Sequence, residues 1–423
     1  MTKSYPSARA GLRAGVALAT AYCCSLPVPA GAAHAQPPPA VIARSGADAV
    51  RPMHIIPFEL EGNRIYVQVS GPGFGPSWFL LDSGAQRTHY TEELIDKARL
   101  PASGRVGITG AGPGRVSGRR VAAATLRIGS LVLPVASGIS GPAEPLFGNI
   151  YSSTGRRFEG VLGYDLFAAF VVEIDYEQRL LRLHDRAHFR PPATSRIPLR
   201  IVDRKPYFTA GIGLAGSAPT PANVHLDTGA GSVLSLRGRY VAEQRLIERI
   251  GPTLRSVIQG VGGATESRLG RIERLQLGRF TFAAPVVTIA LAQGAGVRSD
   301  SAGLVGGEAL RRFTVTIDYA GRSLWLEPNG NLGQPFEADM SGLTITRTPA
   351  STFSIVSVAP DTAAAAAGVL PGDQVLGIDG RSAASLTLDQ LRALLRHHGA
   401  TRSLRLRRGT DEFEVQLRLA RRI

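Results

Sequence analysis

The sequence predicts a mostly β protein made of two copies of one β unit followed by a smaller α+β module. Three observations predict it. An apolar run that ends in Asp, a hydroxyl residue, Gly and Ala occurs twice, as Phe79-Leu80-Leu81-Asp82-Ser83-Gly84-Ala85 and as Val224-His225-Leu226-Asp227-Thr228-Gly229-Ala230. A second set of residues repeats downstream at one constant offset, and after Asn329 the pattern changes. An apolar strand that stops on an acid puts that acid at the edge of a core, and Gly lets the chain turn away sharply there. One copy would read as an ordinary Asp-Ser-Gly turn; two copies with matching sequence behind them read as two carboxylates related by a pseudo-twofold axis.

The 423 residues exceed what one core holds and suffice for two or three domains. Hydrophobic content of 44% with 49 Gly and 28 Pro fits a turn-rich globular chain rather than a disordered one. Residues 1–35 read as a secretory signal peptide: Lys3, Arg9 and Arg13 make a basic start, 14–21 are small and apolar, and Ala33-His34-Ala35 is a small-x-small cleavage pattern. That apolar stretch is too short for a bilayer anchor, and no later segment reads as a span, so a periplasmic or secreted mature chain without a transmembrane segment is expected. Both cysteines, Cys23 and Cys24, fall in this leader, which leaves the mature chain without disulfide or thiolate chemistry. Bulky Tyr22 precedes the pair where a lipid anchor usually has a small residue. The net charge is +15, but the cations are nearly all Arg and scattered, with Arg405-Leu406-Arg407-Arg408 the one dense run. No nucleic-acid partner is expected from that distribution.

The first copy spans 50–188 and the second 195–328, joined by the connector Arg190-Pro191-Pro192. Helices are expected after each Asp motif, over 91–100, with Thr91 as N-cap and Glu92 and Glu93 in the first turn, and over 237–250. Gly-rich hairpins follow at 107–118 and 259–270, then a strand and turn at Leu126-Arg127-Ile128-Gly129 and Leu275-Gln276-Leu277-Gly278. Gly110-Ala111-Gly112-Pro113-Gly114 is a hairpin tip rather than a phosphate cradle, since no helix follows it. The copies then share Gly160-Val161-Leu162-Gly163 with Gly303-Leu304-Val305-Gly306, Phe170 with Phe313, and Asp175-Tyr176 with Asp318-Tyr319. Each set reads as a turn and short helix leading into a β-hairpin with period-two apolar residues. Asp175 and Asp318 are expected to shape turns. Tyr90 and Tyr164 are expected in the core or at its rim, and His89 and His225 packed or exposed, each close enough to the motifs to tune a pH response.

The third module, 341–421, has alternating strands at 343–345 and 353–358, an Ala-rich helix at 363–367, a helix at 386–397 capped by Thr387, and closing strands within 404–419. Between its helices runs Gly368-Val369-Leu370-Pro371-Gly372-Asp373-Gln374-Val375-Leu376-Gly377-Ile378-Asp379-Gly380.

At these residues the chain resembles the aspartic proteases over about 58–327. The resemblance rests on Asp82-Ser83-Gly84 and Asp227-Thr228-Gly229, each paired with an apolar-apolar-Gly element, Val161-Leu162-Gly163 and Leu304-Val305-Gly306. Two lobes in one chain look like pepsin; Ala85, Ala230 and the short lobes look like retroviral proteases. A bacterial retropepsin-like aspartyl protease is the best description. It implies acid-protease β-barrel lobes, with Asp82 and Asp227 as a catalytic pair that shares one proton and activates a water. It implies that Ser83 and Thr228 lock the lobes together and that Gly84 and Gly229 offer N–H groups to the carboxylates. Gly163 and Gly306 would lie in the segments that support the catalytic loops from behind. A protein or peptide substrate is implied, and neither metal nor other cofactor. Ala85 and Ala230 lack the hydroxyl that in pepsin-like enzymes often lowers the carboxyl pKa, so a weakly acidic to neutral optimum is expected. The 107–118 hairpin has no Tyr to close over substrate, and Gly-rich hairpins in both halves suggest two flaps.

The third module resembles a bacterial PDZ domain. Such domains bind an extended peptide as an added strand beside a helix, so a peptide ligand is implied. Residues 346–352 lack the apolar-Gly-apolar signature of a carboxylate loop and contain Pro349, which leaves open both C-terminus recognition and docking of the module on the rest of the chain. No His-Glu-x-x-His supports a zinc protease, and no Gly-x-Ser-x-Gly sits between a strand and a helix. Two functions stand: an exported aspartic endopeptidase with a peptide-recognition or regulatory module, or a non-catalytic peptide-binding scaffold on the same fold.

Overall fold

Both long β-sheets of the molecule run through their strands in the same order, so the repeat in sequence is a repeat in topology. The structure, a computed structural model, describes residues 51–292, 300–347 and 352–423, of Gln259 the backbone only. In the first lobe the hydrogen-bonded order is Ala102–Thr109, Arg115–Val121, Gly138–Gly141, His89–Thr91, Gly160–Leu162, Phe74–Leu81, Arg64–Gly71, Ala124–Ile128 and Leu131–Val135, with Glu59–Glu61 paired to Arg64–Gly71. In the second it is Leu254–Gly260, Gly263–Arg271, Val286–Ala290, Leu234–Leu236, Gly303–Val305, Thr220–Leu226, Lys205–Gly213, Arg274–Leu277 and Phe280–Ala283, with Arg200–Val202 paired to Lys205–Gly213.

The apolar runs before the two Asp residues end the central strands. Phe79, Leu80 and Leu81 are all buried, as are Val224, His225 and Leu226, because each strand has a neighbour on both edges and cover on both faces. Gly160-Val161-Leu162-Gly163 and Gly303-Leu304-Val305-Gly306, expected as turns, contain short strands instead. Gly160–Leu162 pairs in parallel with Phe79–Leu81 and antiparallel with Tyr90 and His89. Gly303–Val305 pairs in parallel with Val224–Leu226 and antiparallel with Leu234–Leu236. Three apolar residues clamped on both edges form a strand where sequence shows only a run too short to assign.

The lobes are joined by a third sheet of six strands, ordered His54–Pro57, Leu180–His184, Val171–Asp175, Phe313–Asp318, Ser323–Pro328 and Ile197–Pro198. The two repeated hairpins pair with each other here, Val172 opposite Ile317 and Ile174 opposite Val315. Asp175 and Asp318 serve the hairpin turns, accepting from the N–H groups of Gln178 and Gly321, each at 2.9 Å.

The helix after the first motif runs Glu92–Ala98, with Thr91 Oγ1 accepting from the Leu94 N–H. The single helix expected over 237–250 is two, Gly238–Glu243 and Leu246–Arg249, because Arg245 takes a left-handed φ of 48° between them. Ala143–Thr154 is a helix that sequence reasoning missed. Pro145 lies in its first turn, where a proline gives up only an N–H that has no partner in the helix. Its Leu146, Phe147 and Tyr151 close a cluster with Tyr66, Leu80, Phe158 and Val161.

The C-terminal module is a sheet ordered Leu343–Arg347, Phe353–Val358, Gln374–Ile378, Thr401–Arg408 and Asp411–Arg418, around its own core of Phe353, Val375, Leu388, Leu391, Leu404 and Leu406. Its helices are Ala363–Ala366 and Leu388–Leu394, the second started by a Thr387–Gln390 capping box. Of the 346–352 loop, residues 348–351 lie outside the described residues. Among the described residues no helix is long and apolar enough to cross a membrane.

Arg312 anchors the chain that leaves the second lobe. Its side chain is fully buried and donates to the carbonyls of Glu308, Gln334 and Pro335 while lying 3.6 Å over the Phe336 ring. Removing a buried charge that holds several acceptors orphans them all. Arg312→Met is expected to lower stability by about 3 kcal/mol, read as a shift in the urea midpoint; an unchanged midpoint would show that the anchor is dispensable.

Candidate active site

Each Asp leaves its strand under the same constraint. The N–H of Asp82 donates to Leu162 O at 2.9 Å and that of Asp227 to Val305 O at 3.0 Å, so the crossing strand holds the residue's backbone. Behind the loops, the N–H of Tyr164 donates to Ala85 O at 2.9 Å and that of Gly307 to Ala230 O at 2.7 Å. Gly163 and Gly306 permit this approach: a Cβ on Gly163 would stand 2.5 Å from Ala85 O, and one on Gly306 2.7 Å from Ala230 O.

The two loops meet through four reciprocal hydrogen bonds. The N–H of Ser83 donates to Thr228 Oγ1 at 2.9 Å, and the N–H of Thr228 donates to Ser83 Oγ at 3.1 Å. The Ser83 hydroxyl donates to Leu226 O at 2.8 Å, and the Thr228 hydroxyl to Leu81 O at 2.9 Å. Both side chains are 0% exposed. Each hydroxyl therefore accepts and donates across the lobe boundary, with its one proton committed.

This clasp brings the carboxyls together. The Gly84 N–H donates to Asp82 Oδ1 at 2.6 Å and the Gly229 N–H to Asp227 Oδ1 at 3.0 Å. A Cβ on Gly229 would lie 2.5 Å from Asp82 Cγ, and one on Gly84 3.2 Å from Asp227 Cγ, so each glycine borders the carboxyl of the other lobe. Burial first, and the Asp227 charge second, hold the Asp82 carboxyl well above the ordinary carboxylate range. Two acids this close retain one proton between them where isolated ones would lose both.

Several residues around the pair were not singled out from sequence. The Tyr319 hydroxyl donates to Ser83 O at 2.7 Å, and its ring stacks on Phe167. Asp165 accepts from the N–H and hydroxyl of Thr88 at 2.9 and 2.8 Å and steadies the chain beyond the first loop. Arg64 Nε donates to Gly229 O at 2.9 Å. Lys205 and Arg237 lie close enough to Asp227 to act on its charge, and Lys205 acts on Asp82 as well. Tyr319 did carry a signal, being the repeat of Tyr176; so did Lys205, since the chain's only lysines are Lys3, Lys97 and Lys205. His225 is packed, stacked on Tyr207 at 5.1 Å, and burial pushes its imidazole down to about 3. His89 is half-buried and likewise pushed down, to about 4. Tyr90 is in the core, and Tyr164 packs at its edge.

The Gly-rich hairpins of the two lobes meet tip to tip. The Gly112 N–H donates to Val261 O at 3.0 Å and the Gly114 N–H to Gly262 O at 2.8 Å. Among the described residues no group of three or more His, Cys, Asp or Glu is placed to hold a metal ion.

The C-terminal module sits against the first lobe. The Thr346 hydroxyl donates to Ser152 O at 2.9 Å, Arg392 bridges Ser153 O and Ile345 O, and the Gly62 N–H donates to the Asp389 carboxylate. Leu343–Arg347 is the edge strand beside the helix Leu388–Leu394, so the edge a bound peptide would extend is in contact with the lobe. Burial, then Asp389, pushes the Glu61 carboxyl at this seam up to about 7.

A family model described as aspartyl protease matches residues 65–166, and one described as PDZ domain matches 354–408. The chain carries an aspartyl protease domain and a C-terminal PDZ domain. The protease match takes in Asp82 and the crossing strand behind it; the second lobe is tied to it by the repeated topology. Solved structures similar to this chain include a basic 7S globulin from soybean, 11% identical over 67% of this chain and 96% of that one, with a TM-score of 0.40. Another is an aspartic proteinase from Irpex lacteus, 15% identical over 66% of this chain and 98% of that one, with a TM-score of 0.41. No curated protein matches.

The clasp between the protease lobes yields a direct test. Thr228→Ala leaves the Ser83 N–H buried without an acceptor and is expected to cost about 2 kcal/mol or more. Thr228→Ser keeps both hydrogen bonds and is expected to cost about 1 kcal/mol for the lost methyl. Equal losses in the two variants, measured by chemical denaturation, would mean that packing rather than the clasp holds the loops.

Proposed function

We propose that this chain is an exported aspartic endopeptidase in which Asp82 and Asp227 form the catalytic dyad. The observation that carries the reading is the closed set of hydrogen bonds through Ser83 and Thr228, which fixes two half-buried carboxyls against each other. With one proton shared, the ionised carboxylate takes a proton from a water as its oxygen attacks the peptide carbonyl carbon. The protonated carboxyl gives its proton to the carbonyl oxygen, forming a neutral diol. The newly protonated carboxyl then gives its proton to the amide nitrogen while the other carboxylate takes one from a diol hydroxyl, so the C–N bond breaks to an acid and an amine and the dyad again holds one proton. Gly84 and Gly229 hold the carboxylates in position through their N–H groups.

The basic start and small-x-small pattern of residues 1–35 support export to the periplasm or beyond. The PDZ domain is proposed to take a peptide at the edge strand Leu343–Arg347, where binding would compete with the contacts to Ser152 and Ser153 and so couple the domain to the protease lobe. Protein or peptide is the expected substrate class. The Glu61–Asp389 seam places a titrating acid at that coupling.

Cleavage of an unbiased peptide library across pH tests the reading. Asp82→Asn and Asp227→Asn are each expected to lower cleavage at least about a hundredfold. The working state needs one proton on the pair, and Asp82 is held above its ordinary range, so activity persists to weakly acidic or neutral pH and falls as pH rises through the raised pKa and the proton is lost. Ala85 and Ala230, with no hydroxyl to stabilise the ionised form, point the same way. A profile peaking in strong acid would contradict the assignment of the raised carboxyl. No cleavage by wild type, or cleavage unchanged in both variants and so not made at this pair, would leave a peptide-binding scaffold as the function.

A further inference from the structure

The two lobes present different chemistry to the carboxyl pair. In the first lobe, Tyr66 lies opposite Leu80 and Val67 opposite Phe79; continuing that register past the strand end sets Arg64 across from Asp82. In the second lobe, Tyr207 lies opposite His225 and Phe208 opposite Val224, which sets Lys205 across from Asp227. Arg64 and Lys205 are therefore counterparts in the repeat. Arg64 is spent on structure, with Nε on Gly229 O at 2.9 Å and Nη1 on Gly62 O at 3.1 Å. Lys205 is not: among the described residues its ammonium has no hydrogen-bonded partner. Burial first pushes its amine below the ordinary lysine range, against the opposing pull of the Asp227 and Asp82 carboxylates; Arg237 and the exposed Asp203 act on it more weakly.

The surroundings differ as well. Leu80 and Tyr66 belong to an apolar cluster with Phe147, Tyr151 and Phe158. Their counterparts His225 and Tyr207 stack beside Arg237, and His225 Nδ1 stands 3.8 Å from Asp227 Oδ2. Nε2 of His225 and Nε of Arg237 are buried and without a hydrogen-bond partner. The Arg237 Nε–H is a donor, and a buried donor normally finds an acceptor; an anion brought by a ligand supplies one.

We propose that Lys205, backed by Arg237, forms a cationic subsite on the second lobe's flank of the dyad that binds an acidic side chain of the substrate next to the scissile bond. The proposal rests on the endopeptidase reading and adds specificity to it: Glu or Asp on the second lobe's side of the cleaved bond. Arg237 stiffens the site because it is half-buried and cannot deprotonate in use. Lys205 is the specificity residue because its ammonium is free to pair.

The test uses the full chain and peptides in which a hydroxyl-bearing isostere replaces the scissile bond, so binding is read by calorimetry without turnover. Glu or its neutral twin Gln is placed on either side of the isostere. The Glu peptide of one orientation is expected to bind wild type about tenfold or more tightly than its Gln twin, the scale of a hydrogen bond to a charged group. Lys205→Met should erase that preference, Lys205→Arg should keep it, and Lys205→Glu should invert it, each variant checked for an unaltered thermal transition. If Lys205→Met is less stable, the Arg and Glu variants carry the comparison alone. Equal binding of Glu and Gln peptides, or a preference that survives Lys205→Met, overturns the subsite while leaving the protease reading intact. A shift in pH profile with Lys205→Met but no change in preference also overturns it, assigning Lys205 to tuning the dyad. If wild type binds no isostere, or binds it as well as Asp82→Asn does, the endopeptidase reading falls, and the subsite with it.

Discussion

Everything at the centre of this molecule depends on two hydroxyls that face each other across the lobe boundary. Ser83 and Thr228 each accept one backbone N–H and donate to one backbone carbonyl of the opposite loop. Neither lobe can satisfy these groups by itself, and in the dry interior an unsatisfied N–H is expensive. The clasp is thus both the seal between lobes and the device that sets two acids side by side. The six-stranded sheet below it, where the repeated hairpins pair Val172 with Ile317 and Ile174 with Val315, keeps the lobes in the orientation the clasp requires.

The crossing strands are the second layer of this support. Gly160–Leu162 and Gly303–Val305 bond each central strand in parallel, and the glycines after them let the next residue reach the carbonyl of Ala85 or Ala230. The consequence is a carboxyl pair with little freedom to move apart. Burial raises the cost of a second negative charge there, which is why Asp82 holds its proton beyond the ordinary range. Preorganisation of this kind suits the proposed acid–base chemistry on a peptide bond, in which both proton transfers would be made by groups already in place.

The repeat made much of this legible in sequence. Two Asp-hydroxyl-Gly motifs with matching downstream residues located Asp82, Asp227, Ser83, Thr228 and the four glycines around them, because a duplicated site must reuse the same short-range contacts twice. The PDZ module was legible for another reason: its strands alternate, and its second helix has a capping box that sequence spells out at Thr387 and Gln390. What stayed hidden depends on long-range placement. Ala143–Thr154 is a helix whose first turn holds proline, formed because Leu146, Phe147 and Tyr151 bury against the first lobe. Tyr319 reaches Ser83 from another lobe, and Lys205 meets Asp227 only once register is known. The PDZ domain's contact with Ser152 and Ser153 could not be read from either segment, since nothing local in a helix end announces an edge strand beside it.

The central claim is that Asp82 and Asp227 behave as one titrating unit. Its most direct test is a 13C NMR titration of the carboxyl carbons in aspartate-labelled protein. With one proton shared, both carboxyl resonances are expected to move together in each of two well-separated steps, the upper one above the ordinary aspartate range. Two separate steps, each at an ordinary aspartate pKa and each moving one resonance, would contradict it.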